Sequence, residues 1–135
     1  MGATILLDWL KSNLRLLGVF AILVSLVTWA IDLSGWVYAC PYCRVQRTAI
    51  GVVGILMALP DPRIWWIRYG AAAVCFLGAH VAAAQIFLVF RNMTSGQPSN
   101  PLNLVLATGA LFILAGQALL LFTARPRGSD RARSN

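Results

Sequence analysis

Two cysteines separated by two residues, Cys40 and Cys43 in the run C-P-Y-C-R-V-Q-R at 40–47, are the residues of this chain best suited to chemistry. Cys-x-x-Cys spacing brings two sulfurs within disulfide reach. Where such a motif opens a helix, the unpaired N–H groups and the positive dipole end favour a thiolate. Arg44 and Arg47 add two permanent positive charges within about one turn, which favour the thiolate further and can polarise an acceptor of electrons. The chemistry suggested is thiol–disulfide exchange coupled to a second redox partner. Pro41 fits the first turn of a helix, where its missing N–H is not needed.

Competing readings of the pair are weaker. A disulfide closed once and never reopened gains little stabilisation from a two-residue loop. A closed zinc site wants four N or S ligands, and the chain has no second cysteine pair. A c-type haem site needs His directly after the second Cys, where this chain has Arg44. C-P-Y-C also occurs in glutaredoxins, but there it sits in a soluble βαβ context that an apolar chain lacks.

The elements that must position this motif are membrane spans. The 135 residues make one domain, 59% hydrophobic and only 11% charged, with a mean hydropathy of +0.75, far from a soluble chain. The net charge of +7 raises nucleic-acid binding, but the basic residues flank apolar runs and form no patch, so no nucleic acid is expected as a partner. Membrane lipid is. Residues 1–15 read as an amphipathic interfacial segment, with Asp8, Lys11, Ser12 and Arg15 on one face and Leu6, Leu7, Trp9, Leu10 and Leu14 on the other; a plain extension of the first span is the alternative.

Residues 16–123 read as four transmembrane helices. The first begins at 16 and is expected to be uncleaved, although V-Y-A-C before the motif resembles a degenerate lipoprotein box. Asp32, Ser34, Gly35, Trp36 and Tyr38 are expected in a short interfacial loop. The second span runs from Pro41 or Tyr42 to Leu59 and ends at P-D-P, with Arg47 about 6 Å deeper than Cys43. The third covers about 69–90, with Ala71, Cys75, Ala79 and Ala83 forming a ridge for helix packing. Its polar residues, His80 and Gln85, are candidates to line a headgroup pocket, Gln85 near the level of Arg47. A polar loop at 91–103 leads to the fourth span, from Leu104 to Thr123, where Gln117 is expected to bond between helices. Residues 124–135 form a basic tail.

Positive charge orients the spans. Lys11, Arg15, Arg63, Arg68, Arg125, Arg127, Arg131 and Arg133 fall on one side and Arg44, Arg47 and Arg91 on the other. Both termini are therefore expected in the cytoplasm, with the dithiol on the outer, oxidising side of a bacterial inner membrane.

An outward-facing Cys-x-x-Cys at the start of the second of four spans, followed by x-x-Gln-Arg, resembles the disulfide bond formation protein B (DsbB) family. The family motif C-x-x-C-x-x-[QE]-R is matched by Cys40, Cys43, Gln46 and Arg47, and the likeness in layout covers about residues 14–125. It implies a four-helix bundle that carries electrons from a periplasmic DsbA-like thiol oxidase, or another dithiol protein, to membrane ubiquinone or menaquinone. By the same resemblance Cys40 exchanges with the incoming thiol, Cys43 faces the quinone ring in a thiolate charge-transfer contact, and Arg47, with Gln46, helps hold the headgroup. Many members carry a His and a Gln four residues apart in the third span; His80 and Gln85 are five apart.

The chain departs from the family in its second outer loop, which holds no relay cysteine pair. Either the substrate attacks Cys40 directly or a partner supplies the missing pair. From a different class comes the alternative of a non-enzymatic subunit that docks in a larger complex through its small-residue third span. A third reading runs electrons the other way, as a reductant. The vitamin K epoxide reductase family, whose active pair lies on a later span, fits less well.

Overall fold

The computed structural model describes residues 2–36 and 40–124. Tyr38 and the basic tail from Arg125 onward lie outside them. Among the described residues the protein is all helix: α1 (Gly2–Ser12), α2 (Leu14–Leu33), α3 (Pro41–Ala58), α4 (Trp65–Thr94) and α5 (Pro101–Thr123). Three of them, α2, α4 and α5, are long and apolar enough to cross a membrane, as a multi-pass membrane protein requires. The 18-residue α3 is polar in its first turns, where it carries Arg44, Gln46, Arg47 and Thr48.

Local chemistry sets the boundaries. Asn13 separates α1 from α2, with its Nδ2 donating to the Trp9 carbonyl at 2.9 Å; Leu14 and Arg15 thereby belong to α2. On α1 the apolar side chains Ile5, Leu6, Leu7 and Trp9 are all exposed, so nothing among the described residues covers them. Gly35, at φ 75°, ends α2 in a left-handed turn that favours glycine. Cys40 is the N-cap of α3 and Pro41 its first residue. The extended Leu59 before Pro60 stops α3.

Several boundaries differ from those expected of the sequence: α2 begins at Leu14 and α4 at Trp65, against 16 and about 69. The α4 helix continues through Arg91 to Thr94, where the hydroxyls of Thr94 and Ser95 both donate to the Arg91 carbonyl and Gly96 turns the chain at φ 67°. Pro101 then starts α5, with the Asn100 side chain accepting from Leu102 N at 3.0 Å. The loop between α4 and α5 accordingly shrinks from 91–103 to 95–100. Asp32 also leaves its expected loop: it lies in the last turn of α2 and is 5% exposed.

The centre of the arrangement is α3, packed on α2, α4 and α5, while α4 also packs on α5. Small residues bring α2 and α3 close. A Cβ on Gly18 would stand 2.6 Å from the Gly54 carbonyl, and one on Gly54 2.9 Å from the Gly18 carbonyl. Above this seam, Ser25 donates from Oγ to the Arg47 carbonyl at 2.9 Å, which fixes the register of the motif-bearing turn against α2.

On α4 the buried stripe is Ala71, Cys75, Gly78, Ala82, Gln85 and Val89. Ala79 and Ala83 are off it, because a strict four-residue repeat overshoots the helical period of about 3.6 and drifts around the helix. Met57, Leu114, Leu121 and Val53 fill the middle. At the end away from the cysteines, Arg15 donates to the Pro60 carbonyl and Arg68 to the Ala124 carbonyl. There Trp65 meets Trp66 edge-on and stacks on Tyr69. Large apolar side chains such as Phe20, Leu23, Phe76, Phe112 and Leu119 point outward, as they do on helices whose solvent is lipid.

Candidate functional site

The helix start at Pro41 places the two sulfurs differently. Cys40, at the N-cap, is half-buried; Cys43, one turn in, is 7% exposed. Both stand as free thiols. The Cys40 carbonyl accepts the first helical hydrogen bond, from Arg44 N at 3.1 Å, so the motif opens the helix, with Pro41 in its first turn as expected.

Gln85 of α4 reaches both sulfurs. Its Nε2 stands 3.5 Å from Cys43 Sγ and 3.9 Å from Cys40 Sγ. Its Oε1 accepts from Gln46 Nε2 at 2.8 Å, which orients the amide with its donors toward the thiols. The two glutamines are 3% and 4% exposed, so this pairing supplies hydrogen bonds that neither side chain can take from solvent. An N–H pointed at sulfur stabilises negative charge there.

The opposite side of Cys43 faces a cleft of about 370 Å³. Ser25, Thr28 and Ile31 of α2 form one wall, and Leu102, Val105, Leu106, Gly109 and Ile113 of α5 the other. Cys43, Gln46, Arg47 and Ile50 of α3 form its floor. From Leu102 to Ile113 the α5 wall runs about 16 Å along the helix axis. The cleft is polar at the motif and apolar along the rest of its length.

Arg47 is held at the polar end. Its Nη1 donates to the Thr28 carbonyl at 3.0 Å and lies 3.5 Å from Asp32 Oδ1. Arg44 points away from the cleft, donating from Nε to Asp32 Oδ2 at 2.7 Å, with its guanidinium 5.9 Å from the centre of the Trp29 ring.

Of the six residues singled out in the sequence, the structure brings together Cys40, Cys43, Gln46, Arg47 and Gln85. His80 is exposed and off the buried stripe of α4. The five-residue spacing carries it around to the outer surface when Gln85 faces in. Cys75 is a buried packing residue. Gln117 bonds between helices, donating from Nε2 to the Ile50 carbonyl at 3.4 Å. Two contributions were not anticipated: Asp32, for which an acid ending an apolar run was the available signal, and the α5 wall, for which composition gives none. Comparison with known protein families, curated proteins and solved structures finds nothing that matches the chain.

Proposed function

We propose that this protein is a quinone-linked thiol oxidoreductase of the DsbB type, built as a four-span bundle with both termini in the cytoplasm and the dithiol on the outer side. The observation that carries the reading is the position of Cys43, between an amide that points its N–H groups at sulfur and an apolar cleft with a guanidinium at its polar end. Sulfur chemistry, acceptor binding and charge stabilisation meet at one buried atom.

The residues fit a quinone. A flat ring with carbonyl oxygens and an isoprenoid chain matches a cleft that is polar at Arg47 and Gln46 and apolar toward Ile113. A guanidinium carries five N–H donors, and a carbonyl oxygen accepts from such a group. When bound, the quinone supplies a sink for two electrons and two protons, which returns the dithiol to a disulfide.

The protein's own part is thiol exchange. A substrate thiolate attacks the Cys40–Cys43 disulfide at Cys40, the more accessible sulfur, forming a mixed disulfide as Cys43 leaves as a thiolate. The second substrate thiol then attacks the mixed disulfide and frees Cys40, so the substrate is oxidised and the pair reduced by two electrons. Gln85 and Arg47 stabilise the departing charge on Cys43. The six residues of the outer loop, 95–100, include no cysteine, so the electrons enter either at Cys40 directly or through a partner's cysteine pair.

Anaerobic mixing of the reduced protein with ubiquinone or menaquinone tests this. Stoichiometric loss of quinone absorbance, with closure of Cys40 and Cys43, is expected; it should vanish in Cys43→Ser and fall at least tenfold in Arg47→Ala. Thiols that stay free beside unchanged quinone would overturn the reading.

A further inference from the structure

Asp32 takes no part in the exchange chemistry above, yet its side chain has no exposed surface, against 41% for Arg44 and 18% for Arg47. An ionised carboxylate in such a place is strongly disfavoured unless it is paired. Arg44 supplies a short charge-assisted bond to Oδ2. The other oxygen, Oδ1, accepts no hydrogen bond among the described residues. It faces Arg47 Nη1 at 3.5 Å, too long for a hydrogen bond, so it acts on that guanidinium through charge alone. Asp32 thus divides its two oxygens between an outer arginine and the arginine of the cleft. Two arginines and one carboxylate leave a net charge of +1 beside the dithiol, where the motif alone would place +2.

We propose that Asp32 is a positioning residue of the redox pair: its carboxylate holds Arg47 at the cleft wall and offsets one of the two positive charges, which limits how far the site favours the open dithiol over the disulfide. This inference rests on the redox reading of Cys40 and Cys43 given above. Its sign follows from charge. Opening the disulfide creates a thiolate at Cys43, which positive surroundings stabilise, and a pair whose reduced form is stabilised is a stronger oxidant. Without the carboxylate the surroundings rise from +1 to +2, and the pair becomes more oxidising.

The test uses the full chain in detergent, equilibrated anaerobically with reduced and oxidised glutathione, with Cys40 and Cys43 read by mass after alkylation. Asp32→Asn is expected to move the equilibrium constant about tenfold toward the dithiol, equivalent to ~30 mV for this two-electron couple. Adding Arg44→Gln restores a net +1 and should bring the constant back to within about threefold of the wild type. An unchanged constant in Asp32→Asn, or a double variant that stays with the single one, would overturn the proposal, since a loss of packing would not be repaired by removing a second charge.

If Asp32→Asn does not fold, the double variant is compared with Arg44→Gln alone. The same shift toward the dithiol must appear, and no difference between the two overturns the assignment. The equilibrium involves no quinone. Wild-type protein that ignores ubiquinone while the Asp32 variants shift as described would refute the acceptor and uphold the role of Asp32.

Discussion

Gln85 faces two cysteines on one side and Gln46 on the other, and every polar atom of its amide is used. Leucine at this position keeps the volume and removes all of it. Hydrogen bonds to a charged group are worth about 1.5–3 kcal/mol, so Gln85→Leu should slow reduction of ubiquinone by the dithiol about tenfold or more. It also strands the Gln46 amide, at a stability cost of about 1–3 kcal/mol, measurable as a lower unfolding midpoint in detergent. His80 provides the contrast: exposed on the outer face of α4, it should be replaceable by alanine with stability unchanged within about 0.5 kcal/mol and with the quinone rate unaltered. A large loss in His80→Ala would place a ligand where the structure shows none of the site. The motif itself was legible because Cys-x-x-Cys and its arginines are local, all within two turns of α3. Asp32 was not. Its burial depends on Arg44 and Arg47 arriving from the next helix, and a hydropathy reading of residues 30–36 sees only a charge that should seek water.

The α5 helix shows what element-level reading can and cannot reach. Its existence follows from an apolar run of sufficient length, but its start at Pro101, capped by Asn100, lies three residues before the expected Leu104. That it walls a cleft depends on how far α2 and α5 stand apart, which is set by α3 lying between them and leaves no trace in either sequence. Gly109 is the position at which this gap can be tested. It lines the cleft, and a Cβ there would meet nothing within 4 Å, so a larger side chain enters the space without disturbing the helices. Gly109→Leu should fold as the wild type does, gaining about 1 kcal/mol of helix propensity. It should nevertheless raise the ubiquinone concentration needed for half-maximal rate about tenfold. A variant with unchanged saturation would show that the acceptor lies elsewhere. The α4 ridge holds at Ala71 and Cys75 and is lost beyond them, because a repeat of four drifts about 40° per step from the helical period and turns Ala79 and Ala83 off the buried stripe.

At the scale of the molecule, α3 is the hub and the least apolar of the long helices, which is why only the other three qualify as spans by hydropathy. One of its two positive charges is offset from within by Asp32, and Arg47 also donates to the Thr28 carbonyl; a helix so provided for can lie among apolar neighbours. In the proposed setting the open side of the cleft, between α2 and α5, faces hydrocarbon rather than water. Delivery of the acceptor then becomes a problem in two dimensions, and the concentration that governs its capture is a mole fraction in the bilayer. Proteoliposomes diluted tenfold with buffer should turn over at the same rate per enzyme, provided the soluble dithiol stays saturating. The same protein and quinone spread through tenfold more lipid, below saturation, should slow by nearly that factor.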